Sequence, residues 1–397
     1  MRWIKKLLAA GLVTLALVLV SLAILEIVLQ CADDLYRRKV NHDWKSLHEV
    51  SPVTGWALRP GASGFITTEG ETVAIEINSL GLRDREIGPK EAGVARILCL
   101  GDSFLYDVNF PQEATYVAVA QAEMLSQRLR VELVNAGVIG WGTDQQYLYY
   151  KEKGHLLEPD IVLLHLFVGN DINENNDAGF REILGLPPPP KPTFDLADGA
   201  LVLRNFPYAG ALRPQFADAA DRARLTAQLG LLADHGLRSL ELLDRGLCQV
   251  AWSLGLLRPE PPEKPQFQGR AALLKTVFDE PLTPPFEKGV ALTKALIKAL
   301  ADEVRRHGSR FGVVVIPACA QIEAASEDDY HRLAHVNLEL LSFIMAEGIP
   351  ALDLGISYRA VHGHYAHLYG GTHWNAAGHA VAALAVTRWL REAFELE

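Results

Sequence analysis

Four short clusters carry the residue types that acyl-transfer chemistry uses. Gly101-Asp102-Ser103-Phe104 closes one apolar run and Gly169-Asn170-Asp171 closes another; between them, residues 135–143 read NAGVIGWGT, and residues 370–379 read GGTHWNAAGH. Attack on an ester carbonyl needs a nucleophile, a base to take its proton, and donors that hold the oxyanion. Ser103 is the candidate nucleophile. His373 is the candidate base, because imidazole takes up a proton near neutral pH. The backbone N–H groups of Ser103 and Gly140 and the side-chain amide of Asn170 are candidate oxyanion donors. A glycine at 140 has no side chain to keep its N–H from a ligand. Each residue also has a plainer reading: a turn serine, a turn asparagine, a structural histidine. Asp102 reads as an acceptor that fixes the loop rather than as a catalytic acid, and Asp171 as structural.

These clusters act together only if the fold brings them together. The stretches ARILCLG (95–101), VELVNAG (131–137) and DIVLLHLF (160–167) are apolar runs suited to strands covered on both faces. Helical spacing separates them: Val117, Ala120, Met124 and Leu125 form one stripe, and TDQQYLYYKEKGH (143–155) a second helix. A helix from FEKGVALTKALIKALADEVRRHG with Gly308 as its stop, a strand FGVVVIP, one helix from EDDYHRLAHVNLELLSFIMAEG, a short strand IPALDL and a closing helix complete the rhythm. Alternating strand and helix predicts an α/β fold with a parallel sheet and helices on both faces. Ligands in such sheets bind beyond the carboxyl ends of the strands, so the four clusters are expected to meet in one crevice.

The rhythm is interrupted at about 180–285. A Pro-rich stretch leads into TFDLADGALVL, with ADG as a hairpin turn. Leucines from Leu225 to Leu254 then form a helical stripe suited to packing on the main domain, and a second Pro-rich stretch follows. This segment is expected to be an insertion. At the N-terminus, Arg2, Lys5 and Lys6 precede an apolar stretch from Leu7 to Leu29. At about 1.5 Å per residue it spans roughly 35 Å, enough for a bilayer core. No small-residue cleavage site follows, which favours an uncleaved anchor over a signal peptide. The expected organisation is an anchor at 1–30, an extracytoplasmic lead-in at 31–94 containing a strand in ETVAIEI, and a catalytic domain at 95–397.

The net charge of −10 offers no basic surface for nucleic acid. Cys31, Cys99, Cys248 and Cys319 lack paired metal-ligand spacing. His362, His364, His367 and His379 have no interleaved carboxylate or thiol, so neither a metal nor another cofactor is expected. His379 is expected to face the sheet or solvent. Trp141 and Trp374 suit either a sugar platform or core packing.

The four clusters, in this order along the chain, resemble the Ser, Gly, Asn and His blocks of the SGNH (GDSL-type) hydrolase family. TGW…INSLGLRD in the lead-in and KPTFDLADGALVL in the insertion are similar to segments of its membrane-anchored bacterial members. The resemblance implies a flavodoxin-like three-layer α/β/α fold. It also implies ester hydrolysis or O-acyl transfer on an acylated carbohydrate or lipid, at a site without cofactor. One departure stands out: the family places Asp two or three residues before the His, where this chain has Gly371 and Gly370. Asp353, at the end of ALDL, is the candidate replacement for orienting His373. The alternative is a protein that kept the fold as a carbohydrate-binding or envelope-assembly scaffold after losing the acid.

Overall fold

Residues 44–68, 71–183, 188–210, 281–362, 369–370 and 373–396, with isolated positions 3, 14, 21 and 278, are described by a computed structural model. Almost all of them fall within one compact unit, 43–213 with 264–397. Among them no helix is long and apolar enough to cross a membrane. The candidate anchor lies outside the described residues but for positions 3, 14 and 21. The leucine stripe, the second Pro-rich stretch, Cys31, Cys248, His364 and His367 lie outside them too.

Four strands of the lead-in form two antiparallel hairpins: β1 (His48–Ser51) with β2 (Gly55–Leu58), and β3 (Ser63–Thr68) with β4 (Glu71–Glu76). The lead-in is more than a tether. Leu47, Trp56, Leu58, Ile66, Ile75 and Leu82 are all buried, so it folds onto the domain that follows.

That domain is built on β5 (Ala95–Gly101), β6 (Val131–Gly137), β7 (Ile161–Phe167), β10 (Arg310–Ile316) and β11 (Ala351–Asp353). The hairpin β8 (Thr193–Ala197) and β9 (Ala200–Arg204) opens the insertion, turning at Asp198-Gly199. Both turn residues have positive φ, 50° and 78°, the pair a type I′ hairpin requires. The five core strands are all parallel and lie in the order β6-β5-β7-β10-β11. Counted in chain order within the sheet this is 2-1-3-4-5, the flavodoxin-like order, with its topological switch point between β5 and β7.

The intervening helices include α1 (Ser103–Tyr106), α2 (Tyr116–Ser126), α3 (Thr143–Glu152), α4 (Asp171–Glu174), α5 (Pro284–Arg306), α6 (Glu327–Leu333), α7 (His335–Ala346), α8 (Leu354–His362) and α9 (Ala376–Phe394), with one further turn of helix at Cys319–Ile322. The side chains of a strand alternate between its two faces. Ile97 and Cys99 accordingly join a core with Val117, Ala120 and Met124 of α2 and Val386 and Leu390 of α9. On the opposite side Leu292 and Leu296 of α5 pack with Leu148 of α3 and Phe194 of β8.

The sequence predicts one helix from Glu327 to Ala346, yet the structure has two, broken at Ala334. The side chain of Gln321 donates to Leu333 O at 2.8 Å and to Asn337 Oδ1 at 2.8 Å. It thereby takes the carbonyl that Asn337 N–H would use in a continuous helix, and a side chain inserted into the ladder is a regular cause of a kink.

Candidate active site

β5 ends at Gly101, and the chain turns at once into α1. Asp102 is the N-cap: its carboxylate accepts from Phe104 N–H at 2.9 Å, the usual use of an acid at this position. The turn sits tightly on the end of β6. A Cβ added at Gly137 would lie 2.4 Å from Leu105 Cβ and 2.8 Å from Tyr106 N, so only a glycine there lets the turn carrying Ser103 approach.

His373 follows β12 (Tyr369–Gly370) in the short strand β13 (His373–Trp374). Its Nε2 lies 2.8 Å from Ser103 Oγ, across 270 residues of chain. Ser103 Oγ is 3.4 Å from Asp102 Oδ2. The hydroxyl has a single proton, and the shorter, better bond is the one to imidazole. Ser103 and His373 are each partly exposed, as a nucleophile and its base must be if a substrate is to reach them. Phe104 packs one face of the site, with its ring centroid 5.0 Å from that of His373 and 4.9 Å from that of Trp374.

The three candidate oxyanion donors follow three neighbouring strands: Ser103 after β5, Gly140 after β6 and Asn170 after β7. Adjacent strands are about 4.8 Å apart, so the switch-point topology alone gathers them at one edge. Gly140 has φ +70° in a turn where Trp141 N–H bonds Val138 O at 3.1 Å. Asn170 sits at the N-cap of α4 with its side chain making no cap bond; its amide donates to the Asp102 carboxylate, and the second amide N–H is the candidate oxyanion donor.

Side chains complete the strand ends. The β5–β7 ladder stops at Leu100 and Leu164. Beyond it His165 Nδ1 lies 3.0 Å from Leu100 O and its Nε2 2.9 Å from the Tyr116 hydroxyl. Burial pulls the His165 pKa down to about 4, so this histidine is a neutral strut. Asp171 accepts from Phe167 N–H at 3.0 Å, consistent with its structural reading. Burial raises its carboxyl well above the ordinary value, and the charge of Asp102 adds to this. Burial likewise pushes Asp102 up to about 6, opposed by the Phe104 N–H and the Asn170 amide.

One expectation needs correction, and two that were open between alternatives are decided. Asp353 does not orient His373. Its Oδ1 accepts from Gly355 N–H at 2.8 Å and its Oδ2 from the Tyr330 hydroxyl at 3.2 Å; it caps the start of α8 and makes no bond to the imidazole. Of the two settings expected for His379, solvent is excluded: it lies on the buried side of α9 that carries Ala382, Ala383 and Val386 into the core. It is buried with Asp107, Nε2 to Oδ2 2.5 Å. Trp141 and Trp374, each 1% exposed, are core residues and not sugar platforms. Trp141 Nε1 donates to Trp56 O and Trp56 Nε1 to Ile139 O, each at 3.0 Å, so the lead-in buttresses the Gly140 turn.

Reasoning from sequence missed several supports. Lys191 and Asp144 form a fully buried pair at 2.5 Å that ties the insertion to the start of α3. Arg83 donates to Tyr106 O and, at 2.6 Å, to Phe110 O. A cationic side chain 1% exposed is itself a signal, but only once burial is known. The cysteines offer no rival nucleophile among the described residues: Cys99 lies in the core, and burial pushes the Cys319 thiol up to about 12. Also among the described residues, no group of three or more His, Cys, Asp or Glu could hold a metal ion.

Residues 278–397 match the family model described as SGNH hydrolase-like domain, acetyltransferase AlgX. The match includes the His cluster and excludes the other three. Among solved structures, a catalytic mutant of the acetylxylan esterase Axe2 from Geobacillus stearothermophilus aligns at 12% identity and TM-score 0.39, covering 76% of this chain and 96% of that one. A putative lipolytic protein of the G-D-S-L family from Desulfitobacterium hafniense aligns at 11% identity and TM-score 0.37, covering 75% and 99%. TesA aligns at 11% and 0.38, covering 75% and 98%. No curated protein matches the chain in sequence.

Proposed function

We propose, for a chain that carries an SGNH hydrolase-like domain, that it is a serine-dependent ester hydrolase or O-acyltransferase acting on an acylated carbohydrate or lipid of the cell envelope. The observation that carries this reading is the 2.8 Å contact between Ser103 Oγ and His373 Nε2 at the switch point of the sheet. The description of the matched family, an acetyltransferase, supports transfer to a hydroxyl beside transfer to water.

The Ser103–His373 contact supports the following steps. His373 Nε2 takes the hydroxyl proton as Ser103 Oγ attacks the ester carbonyl. The oxyanion of the tetrahedral intermediate accepts from the N–H groups of Ser103 and Gly140 and from the Asn170 amide. Collapse expels the alcohol, which takes the proton from the imidazolium and leaves an acyl group on Ser103. Water or an acceptor hydroxyl then gives its proton to His373 and attacks the acyl carbonyl, and the imidazolium returns that proton to Ser103 Oγ as the acyl–serine bond breaks.

The apolar stretch 7–29 supports a single-pass anchor, with the catalytic domain outside the cytoplasm. A second reading, a non-catalytic glycan-binding scaffold, is favoured by Gly370 and Gly371 standing where the family has its acid. Covalent labelling of the purified full chain by a fluorophosphonate separates the two. The catalytic reading expects labelling of Ser103 and turnover of p-nitrophenyl acetate, both absent in Ser103→Ala. A folded wild type that stays unlabelled supports the scaffold.

A further inference from the structure

The second histidine of GGTHWNAAGH has a carboxylate partner from the nucleophile's own turn. Asp107 follows Ser103 by four residues, and its N–H bonds Ser103 O at 3.0 Å, closing α1. Its carboxylate is fully used: Oδ1 accepts from Asn109 N–H at 2.8 Å, and Oδ2 lies 2.5 Å from His379 Nε2. Asp107 is 2% and His379 1% exposed. Asp107 also has φ +23°, a value that costs a non-glycine residue free energy and that persists only where the surroundings impose it. The ring of His379 is wedged edge-on between Phe110 and Trp374, with centroids at 5.0 and 5.5 Å. On the other side of the turn Arg83 holds Tyr106 O and Phe110 O.

His379 N–H bonds Asn375 O at 3.0 Å, and Asn375 caps α9 directly after Trp374. The segment from His373 to His379 is therefore one unit, and the Asp107–His379 bond fastens it to the turn that bears Ser103. We propose that Asp107 and His379 are positioning residues for the Ser103–His373 pair. They hold the two reacting groups in register in a chain that lacks an acid directly before its catalytic histidine. The proposal rests on the catalytic reading of that pair. A misplacement of about 1 Å at a reacting group can lower rate about 100-fold, so a bond that fixes the relative position of two segments has leverage on kcat.

The test uses the full chain and three variants. His379→Leu keeps apolar volume and removes the donor. His379→Gln returns an N–H toward Asp107. Asp107→Gly removes the carboxylate and relieves the positive φ. Expected are fluorophosphonate labelling and kcat lowered at least 10-fold in His379→Leu and Asp107→Gly, KM within about twofold of wild type, and most of the rate restored in His379→Gln. A purely structural role would instead lower the melting temperature and leave the labelling rate of the folded fraction unchanged, which overturns the proposal. Crystal structures of wild type and His379→Leu read the geometry apart from activity. Lengthening of the Ser103 Oγ to His373 Nε2 separation beyond hydrogen-bond reach supports positioning even if the wild type proves inert, whereas an unchanged separation overturns it. An inert wild type by itself counts against the catalytic reading alone.

Discussion

Gly370 and His373 stand directly opposite one another across the two-residue ladder of β12 and β13. Opposed residues of an antiparallel pair have Cβ atoms about 4.5–5.5 Å apart and share a face. An aspartate at 370 would therefore place its carboxylate beside the His373 imidazole. Gly370→Asp is expected to raise kcat by at least 10-fold with KM little changed. The ceiling is the factor of about 10⁴ lost when the acid of a serine triad is spoiled. Steady-state kinetics with p-nitrophenyl acetate checks this. A folded Gly370→Asp with wild-type kcat would mean that the imidazole is already held in its working orientation.

Asn170 is the one proposed oxyanion donor whose side chain can be removed without touching the backbone. Loss of one donor from such a site costs about 10²–10³ in kcat. Asn170→Ala is expected to lose activity by that factor with a smaller change in KM. A defect confined to KM would reassign Asn170 to binding the substrate's ground state.

Asp102 gives the fold a specific pH dependence. Burial raises its carboxyl from the ordinary 3.8 to about 6, so the folded chain holds that proton more tightly than the unfolded chain does. The folded state then binds more protons between these two values. Stability falls as pH rises from about 4 to about 6 and is level above that. The shift corresponds to about 3 kcal/mol. Asp102→Asn keeps an acceptor for Phe104 N–H and removes the titration. The stability of wild type relative to this variant, from denaturant unfolding, should drop by about that amount between pH 4 and pH 7. Parallel pH profiles would rule the effect out.

The anchor proposal is tested by extraction. The chain should stay in the membrane pellet through high salt and carbonate and leave it only with detergent. A mature soluble chain beginning near Cys31 would identify residues 7–29 as a cleaved signal.

What the sequence determined by itself is local. The apolar runs of β5, β6, β7 and β10 mark buried strands because a strand covered on both faces has no room for polar alternation. The clusters at their ends were legible because a run of that kind must stop where the chain leaves the sheet. Ser103, Gly140 and Asn170 could be named for the same reason, and His373 from the cluster that precedes the closing helix. What only the tertiary structure decided is pairing across distance. The order 2-1-3-4-5 sets Ser103 between Gly140 and Asn170, and no periodicity reports strand order. Asp353 lies at a strand end like the others, but the helix that follows needs its carboxylate as a cap, and Tyr330, from another helix, takes the other oxygen. Asp107 and His379 are 272 residues apart. Each looks ordinary in its own neighbourhood, and their bond exists only because packing excludes water from both and leaves them one another. A buried polar group must find its partner wherever the fold puts one, and sequence spacing carries no record of where that is.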